Sequence, residues 1–236
     1  MNVTFIIPCY NAEKIINNNH KRLSSFLKKN KIKKKIIYIN DGSKDKTFNK
    51  LKKINEKNIK ILNNKENSGK SYSIIKALKF VKNGNVVLID CDLPYFNYLK
   101  KVINGLNKFD LIIVNRKIGK SSNIEKNFNF YKIFRNFISN ILGNIIEKKL
   151  KLNVKGDTQA GLKAFKISKK IQKENFISKY YFFDIELISF FKKNKLKIKL
   201  VPVKFKISTK STIKIFSLKN FKIIYEFYKI LNKDIS

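Results

Sequence analysis

Val86-Val87-Leu88-Ile89-Asp90-Cys91-Asp92 is an apolar run that ends in two carboxylates one residue apart. A short continuous apolar run reads as a strand covered on both faces. Two hard oxygen donors at its mouth suit Mg²⁺ or Mn²⁺, with the remaining ligands drawn from water and a diphosphate. An isolated Asp-x-Asp is equally an ordinary strand-ending turn, where Asp is common. The surrounding pattern decides between the two, and it points to a nucleotide-linked substrate.

Working outward, apolar runs at residues 3–7, 36–39, 59–62 and 111–114 alternate with amphipathic stretches at 13–29, 46–55 and 70–82. That order predicts an α/β fold with a mostly parallel, doubly wound sheet. Ligands of such sheets bind beyond the carboxyl ends of the strands. The notable polar residues fall there: Tyr10-Asn11, Asp41-Gly42-Ser43, Asn67-Ser68-Gly69-Lys70, Asp90 with Asp92, and Asn115-Arg116. After residue 120 the pattern changes to a long amphipathic stretch at 125–150, a polar loop through Asp157 and Gly161, a helix-like 182–191, a strand-like 198–203 and a last amphipathic stretch at 217–231. With no linker and no internal repeat, residues 1–236 read as one unit, a nucleotide-binding half at 1–118 and an acceptor-side half at 119–236.

The chain has 236 residues, 43% of them hydrophobic, enough to bury a substantial core. No apolar run approaches the roughly 18–20 residues that span a bilayer, which sets the expectation of a cytoplasmic chain. Cys9 and Cys91 follow two strand runs without metal-type spacing and read as reduced, buried and structural. Lys and Arg number 53 against 16 Asp and Glu, a net charge of +37. The excess is Lys spread along the whole chain beside abundant Asn and Ile, the residue set that AT-rich codons favour. No basic patch with interleaved aromatics marks a specific nucleic-acid partner. An anionic membrane surface is the expected attraction, at about 1 kcal/mol per nearby Lys or Arg. The C-terminal stretch 216–230 mixes aromatics with Lys at helical spacing, which fits a helix lying in a membrane interface as well as one packed on the core. His20, in a polar helical segment, reads as solvent-exposed.

Five segments carry a resemblance in register: Ile6-Ile7-Pro8-Cys9-Tyr10-Asn11-Ala12-Glu13, Asn40-Asp41-Gly42-Ser43-Lys44-Asp45, Asn67-Ser68-Gly69-Lys70, Asp90-Cys91-Asp92-Leu93, and Asp157-Thr158-Gln159-Ala160-Gly161-Leu162-Lys163-Ala164-Phe165. Together they resemble family 2 glycosyltransferases, and within them the polyprenyl-phosphate (dolichyl-phosphate type) sugar synthases. The resemblance implies a GT-A fold whose first half binds a UDP- or GDP-linked sugar. It implies that Pro8, Tyr10 and Glu13 line the base and ribose pocket, that Asp41 contacts the base, and that Lys70 lies near the nucleotide. Asp90 and Asp92 carry over as the Mg²⁺ or Mn²⁺ and diphosphate site. Asn40 and Pro94 depart from the family pattern, which has Asp and, in some mannosyl synthases, a metal-reaching Gln there.

Arg116, Arg135 and Ser139 resemble the family's grip on a lipid phosphate. Arg135 and Ser139, four apart on a predicted helix, share a face, and a guanidinium suits bidentate phosphate binding. Lys206 or Lys210 stands where the family often has a further Arg. A sugar hydroxyl acceptor needs a general base; a lipid phosphate such as dolichyl or undecaprenyl phosphate is already an anion and needs none. Asp157, Gln159, Asp184 and Glu186 are the remaining candidates for sugar contacts. The expectation is inverting, metal-dependent hexose transfer to a polyprenyl phosphate at the cytoplasmic membrane face. The alternatives are transfer to a saccharide hydroxyl with Asp157, Asp184 or Glu186 as base, and a non-catalytic basic module that binds membrane or nucleic acid.

Overall fold

The structure is a computed structural model that describes residues 2–119, 145, 147–150, 152, 154, 157–204 and 218–233. Arg135, Ser139, Lys206, Lys210 and most of the 125–150 stretch lie outside the described residues.

Among the described residues a seven-stranded sheet runs in the order β3-β2-β1-β4-β6-β5-β7. Its strands are β1 (Asn2–Cys9), β2 (Lys33–Asp41), β3 (Ile59–Asn64), β4 (Gly84–Ile89), β5 (Leu111–Asn115), β6 (Leu162–Ile167) and β7 (Ile198–Pro202). β1 pairs in parallel with β2 and β4, β2 with β3, and β5 with β7, whereas β6 is antiparallel to both β4 and β5.

The apolar runs are continuous because both faces are covered. Val3, Phe5, Ile7 and Cys9 of β1 pack with α1 (Ile16–Lys29), α2 (Thr47–Lys52) and α4 (Leu99–Gly105). Ile6, Ile37, Ile39 and Leu88 turn the other way, toward α3 (Lys70–Leu78), α6 (Phe183–Lys193) and α7 (Leu218–Lys233). The short α5 (Lys169–Lys173) starts at Ser168, whose hydroxyl accepts from the Ile171 N–H at 3.3 Å.

Two expectations are corrected here, and further elements were not foreseen. His20 is buried, with Nδ1 3.0 Å from the Tyr38 hydroxyl and Nε2 2.8 Å from Glu56 Oε1. It shares the stripe of Ile16, Leu23 and Leu27 on α1, a helical spacing that the polar residues between them concealed. Cys91 is only half-buried, unlike Cys9. β6 and α4 went unread, and β6 matters most: Lys163 and Lys166 interrupt its apolar pattern, yet it is the strand that lies beside β4 and brings Gly161 to Asp90.

Candidate active site

The carboxyl end of β4 stops at Asp90, whose backbone N–H donates to the Gly161 carbonyl at 3.1 Å. Gly161 leaves its side chain out for a steric reason: a Cβ there would overlap the Asp90 carboxylate and meet Pro94 Cγ at 3.0 Å. Beyond Asp90 the chain makes a tight turn in which Leu93 and Tyr95 both take positive φ, at 51° and 58°. Such backbone is strained for a non-glycine residue and holds only where its surroundings fix it. Asp92 stands exposed on that turn. Desolvation first, and the Asp90 charge second, push its carboxyl above the ordinary carboxylate range.

Lys70 comes from the first turn of α3 and places Nζ 2.6 Å from Asp90 Oδ1. Burial works against its charge, but Asp90, Asp184 and Asp92 outweigh it and hold the ammonium more firmly protonated than a free lysine. Asp41 fixes the loop that delivers Lys70: Oδ1 accepts from Ser68 N–H and Asn64 Nδ2 at 3.0 and 2.9 Å, and Oδ2 from Gly69 N–H at 3.0 Å. Asp41 is therefore a buried pin under the loop that carries Lys70. Asn40 reaches sideways to Asn63, with Nδ2 2.7 Å from its Oδ1.

The first two loops are laced together. Asn11 N–H donates to Ser43 Oγ at 3.0 Å, and Glu13 Oε2 accepts from the Lys46 N–H at 2.8 Å. Glu13 thus ties the loop after β1 to the loop after β2. Pro8 lines a small pocket with Lys70, Asp90, Gly161, Lys163 and Asp184. Tyr10 is exposed. Tyr181, which the sequence reading did not single out, joins this mouth; burial raises its phenol, with Lys70, Asp41 and Tyr10 close enough to act on it.

Arg116 and Asp157 find each other rather than separate ligands. Arg116 Nη2 lies 2.6 Å from Asp157 Oδ1, Nε lies 3.1 Å from both oxygens, and the Arg116 N–H donates to Oδ2 at 2.6 Å. Asp157 is fully enclosed. Tyr95 adjoins this pair, and burial pushes its phenol up to about 12. Gln159 is exposed on the same loop, between the enclosed Asp157 and the turn at Gly161.

Asp184 and Glu186 are two apart on α6, which turns them to different sides. Asp184 faces the site, with Oδ1 3.0 Å from Lys163 Nζ. Glu186 faces away: it accepts from the Ile177 and Ser178 N–H groups at 3.0 and 2.9 Å and from the Ser178 hydroxyl, and Lys233 Nζ lies 3.2 Å from Oε1. The structure brings Asp184, not Glu186, to Asp90. Lys163 was quoted in the sequence motif without a role; a lysine inside an otherwise apolar strand was the signal that could have found it.

Asp90, Asp92 and Asp184 set three carboxylates against the ammoniums of Lys70 and Lys163. Among the described residues no three His, Cys, Asp or Glu side chains are arranged to hold a metal ion by themselves. Two carboxylates with a residual negative charge fit a hard divalent cation that completes its shell with water and phosphate oxygens.

The chain is similar to known proteins in sequence and in fold. The model of the family described as "Glycosyl transferase family 2" matches residues 4–170. A dolichyl-phosphate beta-glucosyltransferase of Trichomonas vaginalis is 27% identical over 223 residues, covering 85% of this chain and 64% of its own length. A poly-beta-1,6-N-acetyl-D-glucosamine synthase of Staphylococcus aureus is 36% identical over 101 residues, covering 40% of this chain and 24% of its own length. This chain thus spans less than two thirds of these curated relatives. Among solved structures, glucosyl-3-phosphoglycerate synthase from Mycobacterium tuberculosis in complex with UDP superposes with a TM-score of 0.69 at 15% identity, over 98% of this chain and 80% of that one. Mannosyl-3-phosphoglycerate synthase from Rubrobacter xylanophilus gives 0.70 at 12%, over 99% and 75%. The fold is the GT-A fold of these glycosyltransferases.

Proposed function

Because the chain belongs to glycosyl transferase family 2, we propose that it moves a hexose from a UDP- or GDP-linked sugar to a polyprenyl phosphate. One observation carries the choice of acceptor. The three carboxylates expected to serve a hydroxyl acceptor as general base are each already engaged: Asp157 by Arg116, Asp184 by Lys163, and Glu186 by the Ser178 loop on the far side. A phosphate acceptor is ionised near neutral pH and needs no base. The dolichyl-phosphate relative supports the same reading.

Asp90 and Asp92 would hold Mg²⁺ or Mn²⁺, which supplies positive charge against the diphosphate when bound; structural neighbours were crystallised with Mn²⁺. Lys70 stands beside those carboxylates to meet a diphosphate oxygen. Tyr10 and Tyr181 flank the mouth where a base and ribose enter. Asp157 and Arg116 brace the wall that carries Gln159 toward the donor sugar. The acceptor phosphate oxygen then attacks the anomeric carbon in line as its bond to the nucleoside diphosphate breaks, inverting the carbon and releasing the diphosphate with the electron pair beside Lys70, with catalysis supplied by positioning and electrostatics.

No helix among the described residues is long and apolar enough to cross a membrane. The outer face of α7 exposes Lys222, Tyr225, Tyr228 and Lys229, with Lys229 Nζ 4.6 Å from the Tyr225 ring centre. Tyrosine and lysine are side chains suited to an anionic bilayer surface, and this face supports such a surface as the place where the acceptor is met.

The test is transfer of labelled sugar from a panel of UDP- and GDP-sugars into an organic-extractable polyprenyl phosphate, with Mg²⁺ or Mn²⁺ and with EDTA. Metal-dependent lipid labelling is the expected result. Donor turnover with a saccharide product instead would move the assignment to a hydroxyl acceptor.

A further inference from the structure

Lys163 is 2% exposed, in the middle of a sheet. Its neighbours on β6, Leu162 and Ala164, pack into the core beneath α1, and Phe165, two residues on, packs into the opposite core. An apolar residue would fill this place in an ordinary sheet. Instead the ammonium donates to the Ala160 carbonyl at 2.6 Å and meets Asp184 Oδ1 at 3.0 Å. Asp184 is itself 6% exposed.

Stability alone does not call for such a pair. Removing two charges from water is costly, and well-packed apolar residues commonly replace a buried ion pair with no loss of stability. The position of the pair is more telling. Ala160 leads directly into Gly161, whose carbonyl receives the Asp90 N–H and whose missing side chain makes room for the Asp90 carboxylate. From the other side, Asp184 acts on Lys70, the partner of Asp90. Lys163 therefore ties α6 to the 160–161 turn behind Asp90, at the floor of the pocket that Pro8, Lys70 and Asp90 line.

We infer that Lys163, with Asp184, is a positioning residue for Asp90: the pair clamps the Ala160–Gly161 turn to α6 and so sets where the cation-binding oxygens stand. The inference rests on the reading of Asp90 and Asp92 as the metal and diphosphate site.

The test is the double variant Lys163→Met/Asp184→Leu, which removes both charges at similar volume. Affinity for UDP and for GDP is measured by titration calorimetry with Mn²⁺ and with EDTA, beside a thermal melt. The expected result is a folded protein whose metal-free nucleotide affinity matches wild type but whose strengthening by Mn²⁺ falls by about tenfold or more, equivalent to about 1.4 kcal/mol. A merely structural role would move both affinities together or neither. Full strengthening by Mn²⁺ in the double variant would overturn the inference. Should that variant not fold, Asp184→Asn keeps the shape and leaves Lys163 on the Ala160 carbonyl; the same selective loss is expected, and its absence overturns the inference equally. A wild-type protein whose nucleotide affinity ignores Mn²⁺ would overturn the functional reading and this inference together, a result distinct from failure in the variants alone.

Discussion

Lys70 Nζ lies 2.6 Å from Asp90 Oδ1, so the carboxylates at the end of β4 face a cation that the chain itself supplies. Lys70→Met removes one charge-assisted hydrogen bond, worth about 1.5–3 kcal/mol. It also removes the positive charge that restrains the upward shift of Asp92. The donor KM is expected to rise by roughly ten- to hundredfold. Steady-state kinetics with the donor varied checks this, and an unchanged KM would remove Lys70 from the nucleotide site.

Asp92 is exposed and makes no wall of the pocket, so Asp92→Asn should leave the fold intact. If it helps hold the charge that receives the leaving diphosphate, turnover should fall by about 10²–10³-fold, the scale of one lost electrostatic contact. A folded Asp92→Asn protein with wild-type turnover would contradict the proposed role.

Gly161→Ala tests the same site by volume rather than charge. The added methyl overlaps the Asp90 carboxylate, which must turn away or push the turn back. The expected signature is a loss of metal-dependent donor binding with the melting temperature little changed, read by nucleotide titration and a thermal melt.

Glu186→Gln separates the two acceptor readings. Glu186 holds the Ile177–Ser178 loop from the far side of α6. Its replacement should lower the melting temperature, because a buried carboxylate loses its charge-assisted bonds, while leaving kcat within about twofold. A collapse of kcat in a folded Glu186→Gln protein would favour a general base and a hydroxyl acceptor.

Asp110 gives a prediction in pH. The Lys197 backbone N–H, at 2.9 Å, and then Lys166 Nζ, at 3.1 Å, hold its carboxyl below the usual carboxylate range. A folded pKa below the unfolded one means that the unfolded chain takes up the proton first. The stabilisation is therefore present above the unfolded value of about 3.9 and is lost as pH falls through the folded value. The gap in melting temperature between wild type and Asp110→Asn should be open at about pH 6 and narrow steadily as pH falls below about 3.9. A gap independent of pH would sink this account.

The parallel part of the sheet was legible because its strands, covered on both faces, are written as unbroken apolar runs such as residues 86–89. The polar residues at their carboxyl ends then marked where a site was to be sought. What stayed hidden depended on contacts remote in sequence. Asp157 reads as a free acid until β5 places Arg116 against it. Asp184 and Glu186 read as a matched pair until the helix turns them apart. β6 was masked by Lys163, whose charge is balanced only by a residue on α6. His20 looked exposed because its polar neighbours face solvent while it follows the line of Ile16 and Leu23.

Glu226 of α7 accepts from the Tyr180 N–H through both oxygens, at 3.2 and 3.1 Å. The same short segment receives α3, with Ser71 and Tyr72 N–H groups donating to the Tyr180 and Lys179 carbonyls at 3.1 and 2.9 Å. The family match closes at residue 170, but the connectivity of the site does not. A truncation at that boundary would keep every residue of the Asp-x-Asp turn and still strip the backing from the helix that presents Lys70, so the smallest autonomous catalytic unit has to be sought past α7 rather than at the edge of the family signature.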